Sequence, residues 1–164
     1  MDNLTPPAGL AFREATTEDI PEMMEVVNTA FQEEAFFVNR PRTYRAQLEE
    51  HFRSGHFLLA RRNAQLLASA YYEIRGARGY IGMLAVRPGY QREGLGRAMM
   101  QAVEEILRGR RCCIAEISVV SVRTVLPPIY RRLGYVEVGM EEPHEDLRKK
   151  LTMPVQLIKM EKEL

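Results

Sequence analysis

"VRPGYQREGLGRAMM", residues 86–100, decides how this chain is read. An apolar, strand-like run, "YIGMLAV" (80–86), leads into it. A helical stripe of Leu95, Ala98, Met99, Ala102, Val103, Ile106 and Leu107 leads out. Between them Pro88 and Gly89 stop the strand, and the helix starts near Gly94 or Leu95. A helix N-terminus leaves backbone N–H groups without intrahelical partners, and its dipole favours negative charge. Gly94 and Gly96 lack a Cβ, so a phosphate can approach the main chain, and Arg92 and Arg97 add charge at the edges. The turn therefore has the parts of a pyrophosphate cradle. It is not a Walker A loop, because no Gly-Lys-Ser/Thr follows. Nor is it the dinucleotide fingerprint, because residue 99 is Met. Taken alone, two glycines favour a plain structural bend.

Upstream of the turn, "LAFREA" (10–15) reads as a short strand. Thr16 or Thr17 caps a helix carrying Ile20, Met23, Met24, Val27, Ala30 and Phe31 at helical spacing. Pro41 opens a second helix, with Tyr44, Leu48 and Phe52 on one face. Strands at 56–61, 64–74 and 80–86, separated by short turns, form an antiparallel meander. Downstream, "CCIAEISVV" (112–120) is a strand that follows a helix, so it should run parallel to the 80–86 strand through a right-handed crossover. In "RTVLPPIYRRLGY" (123–135) Pro127 and Pro128 disturb a helix, leaving a turn or two from Ile129 to Leu133 before Gly134 stops it. "YVEVGM" (135–140) and "VQLIKM" (155–160) complete the strands, with "EEPHEDLRKK" as a loop between them. The expected order is β-α-α-β-β-β-α-β-α-β-β: a single α/β (α+β) domain over residues 1–164, with a mixed sheet of about seven strands and flanking helices.

The totals narrow the function. The chain has 164 residues and a net charge of +1 from 23 basic and 22 acidic side chains, so no whole-molecule field draws it to nucleic acid or membrane. No run approaches the roughly 18 apolar residues needed to span a bilayer. The N-terminal "MDNLTPPAGLAF" lacks a basic region followed by an apolar one, so no signal peptide is expected. Cys112 and Cys113 are adjacent, outside any metal-binding spacing, and fit core thiols in a reducing compartment. The expectation is a cytoplasmic protein. His51, His56 and His144 are isolated, which argues against a metal centre.

Two motifs resolve the glycine turn. Gln91-x-x-Gly94-x-Gly96, between "LAVRPGY" and an apolar helix, resembles the acetyl-CoA signature Q/R-x-x-G-x-G/A of the GNAT superfamily of N-acyltransferases. Tyr130-x-x-x-Gly134-Tyr135 resembles that family's second segment, Y-x-x-x-G-F/Y. The order of elements from residue 10 to 160 matches as well.

The resemblance implies that the backbone of Gln91, Arg92, Glu93, Gly94, Leu95, Gly96 and Arg97 binds the CoA pyrophosphate. It implies that Leu84, Ala85 and Val86 present main-chain groups to the pantetheine arm and the acyl carbonyl. It also implies that the 80–86 and 112–120 strands splay apart to admit the thioester, and that Tyr130 is the general acid protonating the departing thiolate. In some members a Glu on the signature strand deprotonates the amine. "YIGMLAV" has no acid, so Glu116 and Glu73 are the first candidates, with Glu33 and Glu34 as further options; for each, a solvated carboxylate is the competing reading. Arg123 and Leu126 stand where many members have Asn and Ala. Phe36, Phe37 and Tyr44 are candidates to line an acceptor pocket, and Arg131 and Arg132 to steer CoA phosphates or an acidic acceptor.

The implied function is transfer of an acetyl group from acetyl-CoA, as co-substrate, to a primary amine on a small molecule or peptide, by direct attack in a ternary complex. A different acyl-CoA donor, or a CoA-binding regulatory module without turnover, is the alternative. Nucleic acid, membrane and metal are not expected. Dimerisation is frequent in the family.

Overall fold

The chain forms β1 (Ala11–Glu14), α1 (Ile20–Ala30), α2 (Arg45–Ser54), β2 (His56–Arg62), β3 (Gln65–Arg75), β4 (Arg78–Val86) and α3 (Leu95–Gly109). It continues through β5 (Ile114–Val120), α4 (Leu126–Arg132), β6 (Val136–Glu141), the single turn α5 (Glu145–Arg148) and β7 (Leu157–Glu163). This is a computed structural model that describes residues 7–39 and 41–164; the start of the stretch read for a leader, residues 1–6, lies outside them. Seven strands make one sheet in the order β1-β2-β3-β4-β5-β7-β6. The sheet is mixed: β4 and β5 are parallel, as the intervening helix requires, and every other pair is antiparallel.

The amphipathic helices cover both faces. On one face α3 buries Met99, Met100, Val103 and Leu107 in a core with Ile81, Ala115, Ile117 and Tyr135. Each such side chain contributes on the order of 2 kcal/mol. Gly79 permits the close approach, since a Cβ there would lie 2.5 Å from Leu107. On the other face α1 and α2 bury Ile20, Met23, Val26, Val27 and Leu48 against Leu59, Leu66, Tyr71, Met83 and Ala85.

Several boundaries differ from the sequence reading. The second helix begins at Arg45 rather than at Pro41, with half-exposed Tyr44 as its cap. The Asn28 side chain holds the preceding loop, accepting from the Thr43 amide at 2.9 Å and donating to the Thr43 carbonyl at 3.0 Å. Pro127 and Pro128 do not disturb α4: they occupy its first turn, where a missing N–H costs nothing. Tyr130 thus sits inside a seven-residue helix. β5 starts at Ile114, and Cys113, expected in the core, is exposed while Cys112 is buried. β7 lies later than expected because its pairing with β6 continues to Glu161 and that with β5 to Lys162 and Glu163.

Candidate active site

β4 carries the feature on which the site depends. Ser69 of β3 pairs with Ala85, but Tyr71 pairs with Gly82, so β4 holds one extra residue. Met83 absorbs it with φ 47°, the left-handed region that a side chain rarely adopts. The bulge exchanges the faces of the strand. Before it, Ile81 faces the α3 core and Tyr80 packs on the α1/α2 side. After it, Leu84 and Val86 face α3, and Met83 and Ala85 face α1 and α2.

β4 and β5 also part company. Their pairing covers only Arg78, Gly79 and Tyr80 against Ile114, Ala115 and Glu116. Beyond Tyr80 the edge of β4 that faces β5 has no strand partner, and the two strands open as a V. The V leads into a cavity of about 560 Å³. Its walls include Leu84, Val86, Met100 and Ile117–Val120, and at one end it is lined by Gln91, Gly94, Gly96 and Arg97.

At that end the elbow is open. Residues 91–94 form a turn, but no backbone amide from Gln91 to Arg97 makes a close, well-aligned hydrogen bond to a described residue; the first to do so is Ala98, to the Gly94 carbonyl at 3.0 Å. The two glycines differ in purpose. Gly94 caps α3 with φ 78°, so it serves the bend. Gly96 has no such torsion, and a Cβ there would meet only Leu84 and Val86, at 3.9 Å. The protein itself leaves room for a methyl group at Gly96. The Gln91 side chain donates to the Val86 carbonyl at 3.2 Å, and Glu93 pairs with Arg62 at 3.1 Å. Leu95 is wholly buried as the first core residue of α3. Ala85 turns its methyl into the α1/α2 core, so only its main chain is available to the V.

Tyr130 lines the cavity from α4, its ring 6.1 Å from that of Tyr135 in an edge-on contact. Among the described residues its hydroxyl has no hydrogen-bond partner. Burial first, then the neighbouring Tyr80, pushes its pKa up to about 12, so the O–H keeps its proton at neutral pH.

The carboxylates separate. Glu116 lies at the closed end of the V, where Arg78 bridges it to Glu161. Glu73 accepts from the Tyr71 hydroxyl at 2.9 Å and from Arg75 at 2.9 Å, and its pKa is lowered, chiefly by that Arg75 bond. Neither lines the cavity. Glu33 and Glu34 do, at the end away from the elbow, with Phe31, Phe37, Arg42, Tyr80 and Arg123. Glu33 pairs with Arg123 at 3.1 Å. Glu34 is buried, and desolvation raises its pKa against the pull of Arg42 and Arg123. Phe36 and Tyr44 are half-exposed and off the cavity. Arg132 lines it, whereas Arg131 pairs with Glu137.

Arg42 and the bulge at Met83 escaped the sequence reading. Arg42 sits in an irregular loop without periodicity, and a bulge leaves no mark in an apolar strand. The clue to this end of the cavity was "QEEAFF" (32–37), two acids followed one residue later by two aromatics. Among the described residues, no group of three or more His, Cys, Asp or Glu could hold a metal ion, and no helix is long and apolar enough to cross a membrane.

The fold recurs in known proteins. The Acetyltransferase (GNAT) family matches residues 20–135, more than half of the chain. No curated protein matches by sequence. Among solved structures, the ribosomal-protein-S18-alanine N-acetyltransferase of Escherichia coli is similar at TM-score 0.76 and 19% identity, over 94% of this chain and 93% of that one. Ard1 of Thermoplasma volcanium is similar at 0.76 and 16%, over 96% and 99%. PaiA N-acetyltransferase of Thermoplasma acidophilum, solved with coenzyme A, is similar at 0.68 and 15%, over 94% and 99%. At these identities the structures speak for the fold alone. Family match, seven-stranded mixed sheet, splayed strands and open elbow agree: the chain belongs to the GNAT acetyltransferase family.

Proposed function

We propose that the protein transfers an acetyl group from acetyl-CoA to a primary amine by direct attack within a ternary complex. The observation that carries this reading is the row of amides from Gln91 to Arg97, none held in a close hydrogen bond, at the mouth of the V. Such donors at a helix N-terminus suit a diphosphate, and Arg97 adds a charge that favours it. The pantetheine arm runs along the unpaired edge of β4 at Leu84, Ala85 and Val86, which places the thioester between β4 and β5. The amine attacks the carbonyl carbon, the tetrahedral intermediate collapses, and Tyr130 donates its proton to the sulfur as the C–S bond breaks. No covalent enzyme intermediate is needed. The reaction belongs in the cytoplasm, where acetyl-CoA is made and used.

Calorimetry and a thiol-release assay test this. Coenzyme A should bind the wild type, and Tyr130→Phe should keep that binding while losing about 10²-fold or more in turnover. No binding at millimolar coenzyme A would overturn the reading of the elbow. An unchanged rate in Tyr130→Phe would remove the acid role from that residue.

A further inference from the structure

The end of the cavity away from the elbow holds two opposite charges that make no hydrogen bond to a described residue. Glu34, on the turn after α1, is 7% exposed. Among the described residues no group donates a hydrogen bond to its carboxylate; its nearest cation is Arg42 Nε, at 3.9 Å. Arg42 in turn donates no hydrogen bond to a described residue. Its guanidinium lies over the Phe31 ring, 5.1 Å from the centroid. A carboxylate that lines a cavity without a protein donor is open to one from a bound molecule. The other charged pair of this end needs nothing further, because Arg123 already donates to Glu33 at 3.1 Å. This end thus has one carboxylate and one guanidinium, ion-paired with each other at 3.9 Å yet with hydrogen bonds to spare, walled by Phe31, Phe37, Tyr80 and Leu147.

We infer that the acceptor is a free amino acid, or a compound with the same adjacent ammonium and carboxylate, whose amine Glu34 receives and whose carboxylate Arg42 binds. This rests on the transferase reading above and names the substrate class of that site. The charge balance favours a zwitterion. A simple amine would satisfy Glu34 and leave Arg42 a bare cation beside it, whereas the amino acid supplies a donor to one and an acceptor to the other. The aromatic and aliphatic walls suit an apolar side chain. The proton balance closes. The ammonium gives one proton to the Glu34 carboxylate, and the freed lone pair forms the C–N bond. The C–S bond then breaks, and the sulfur takes the Tyr130 proton. The amide nitrogen returns its extra proton to the Tyr130 oxygen, and Glu34 releases its proton to water as the N-acetyl amino acid leaves. The sum is one ammonium and one thioester giving one amide, one thiol and one proton.

The test uses the whole chain with acetyl-CoA and three probes: L-phenylalanine, 2-phenylethylamine, which lacks the carboxylate, and L-phenylalanine amide, which masks it. Calorimetry in saturating coenzyme A runs beside thiol release. L-Phenylalanine should exceed both analogues on the order of tenfold or more, in kcat/KM and in affinity. Arg42→Gln should bring that ratio close to unity while leaving coenzyme A binding intact. Glu34→Gln should abolish turnover of all three, again with coenzyme A bound. Preference for 2-phenylethylamine or the amide, or a ratio unmoved by Arg42→Gln, overturns the proposal while the transferase reading stands. Failure of coenzyme A to bind sinks the transferase reading instead. If no probe is turned over, the affinities alone decide: L-phenylalanine binding weakened by both variants supports the assignment, and binding indifferent to either refutes it.

Discussion

Single residues give the sharpest tests of the site. Gly96 is the most telling. The backbone there is ordinary and a Cβ would find contacts at 3.9 Å, so Gly96→Ala should change stability by less than about 1 kcal/mol. On the proposed reading the added methyl crowds the diphosphate, and coenzyme A affinity should fall at least about tenfold by calorimetry. Equal affinity would mean that the elbow binds something smaller, or nothing. Tyr130 makes a pH prediction. Its pKa is pushed to about 12, so on the proposed reading the proton destined for the thiolate remains in place well beyond neutrality. The rate should not decline on its account between about pH 7 and 10, as a pH profile of kcat under saturating substrates would show.

Elements show how sequence preferences and tertiary demands meet. The β2–β3 hairpin turns on Asn63 and Ala64, both with positive φ (50° and 66°). Two-residue turns of this hand match the twist of a hairpin, and Asn tolerates them, but Ala pays for its Cβ. Ala64→Gly should therefore stabilise the protein by roughly 0.5 kcal/mol, measurable by chemical denaturation. A second case lies across α3. Glu104 is buried there, accepting from the Tyr135 hydroxyl at 2.9 Å and from Lys162 at 2.8 Å. It ties α3 to the start of β6 and to β7. Glu104→Leu would strand the Lys162 ammonium against the core and should cost about 2 kcal/mol. If urea midpoints of the two proteins coincide, this network holds nothing together.

At the scale of the whole molecule, a network of charges fastens the first strand to the sheet. Arg13 of β1 donates to both oxygens of Asp19, at 2.9 and 2.6 Å, and Arg61 of β2 joins the pair at 3.4 Å and bonds Glu22 at 2.6 Å. The Arg13 hydrogen bonds, followed by the Thr16 amide and Arg61, hold the Asp19 pKa at about 2, below its usual 3.8. A lowered acid pKa stabilises the fold above the unfolded value and is lost as pH falls through the folded one. Asp19 should thus contribute full stability above about pH 4 and lose it between about pH 4 and 2. Because Arg13 is half-exposed, the contribution is about 1 kcal/mol. Asp19→Asn should lower the melting temperature at pH 7 and flatten its dependence on pH across that window. Identical slopes would show that the acid sensitivity lies elsewhere.

Periodicity and turn chemistry in the sequence determined the order of strands and helices, the parallel pairing across α3 and the position of the glycine elbow. These rest on local features, such as a stripe of apolar residues or a glycine with no Cβ, and local features are written in the chain. Tertiary structure alone decided the rest. The bulge at Met83 exchanges the faces of β4 because β3 sets the register against it. Asn28 fixes where α2 can begin by holding Thr43. Ion pairing draws Glu116 and Glu73 away from the cavity, while the turn after α1 buries Glu34 in it. The role of a carboxylate depends on which cation reaches it and on how much water remains, and both are set by residues dozens of positions away.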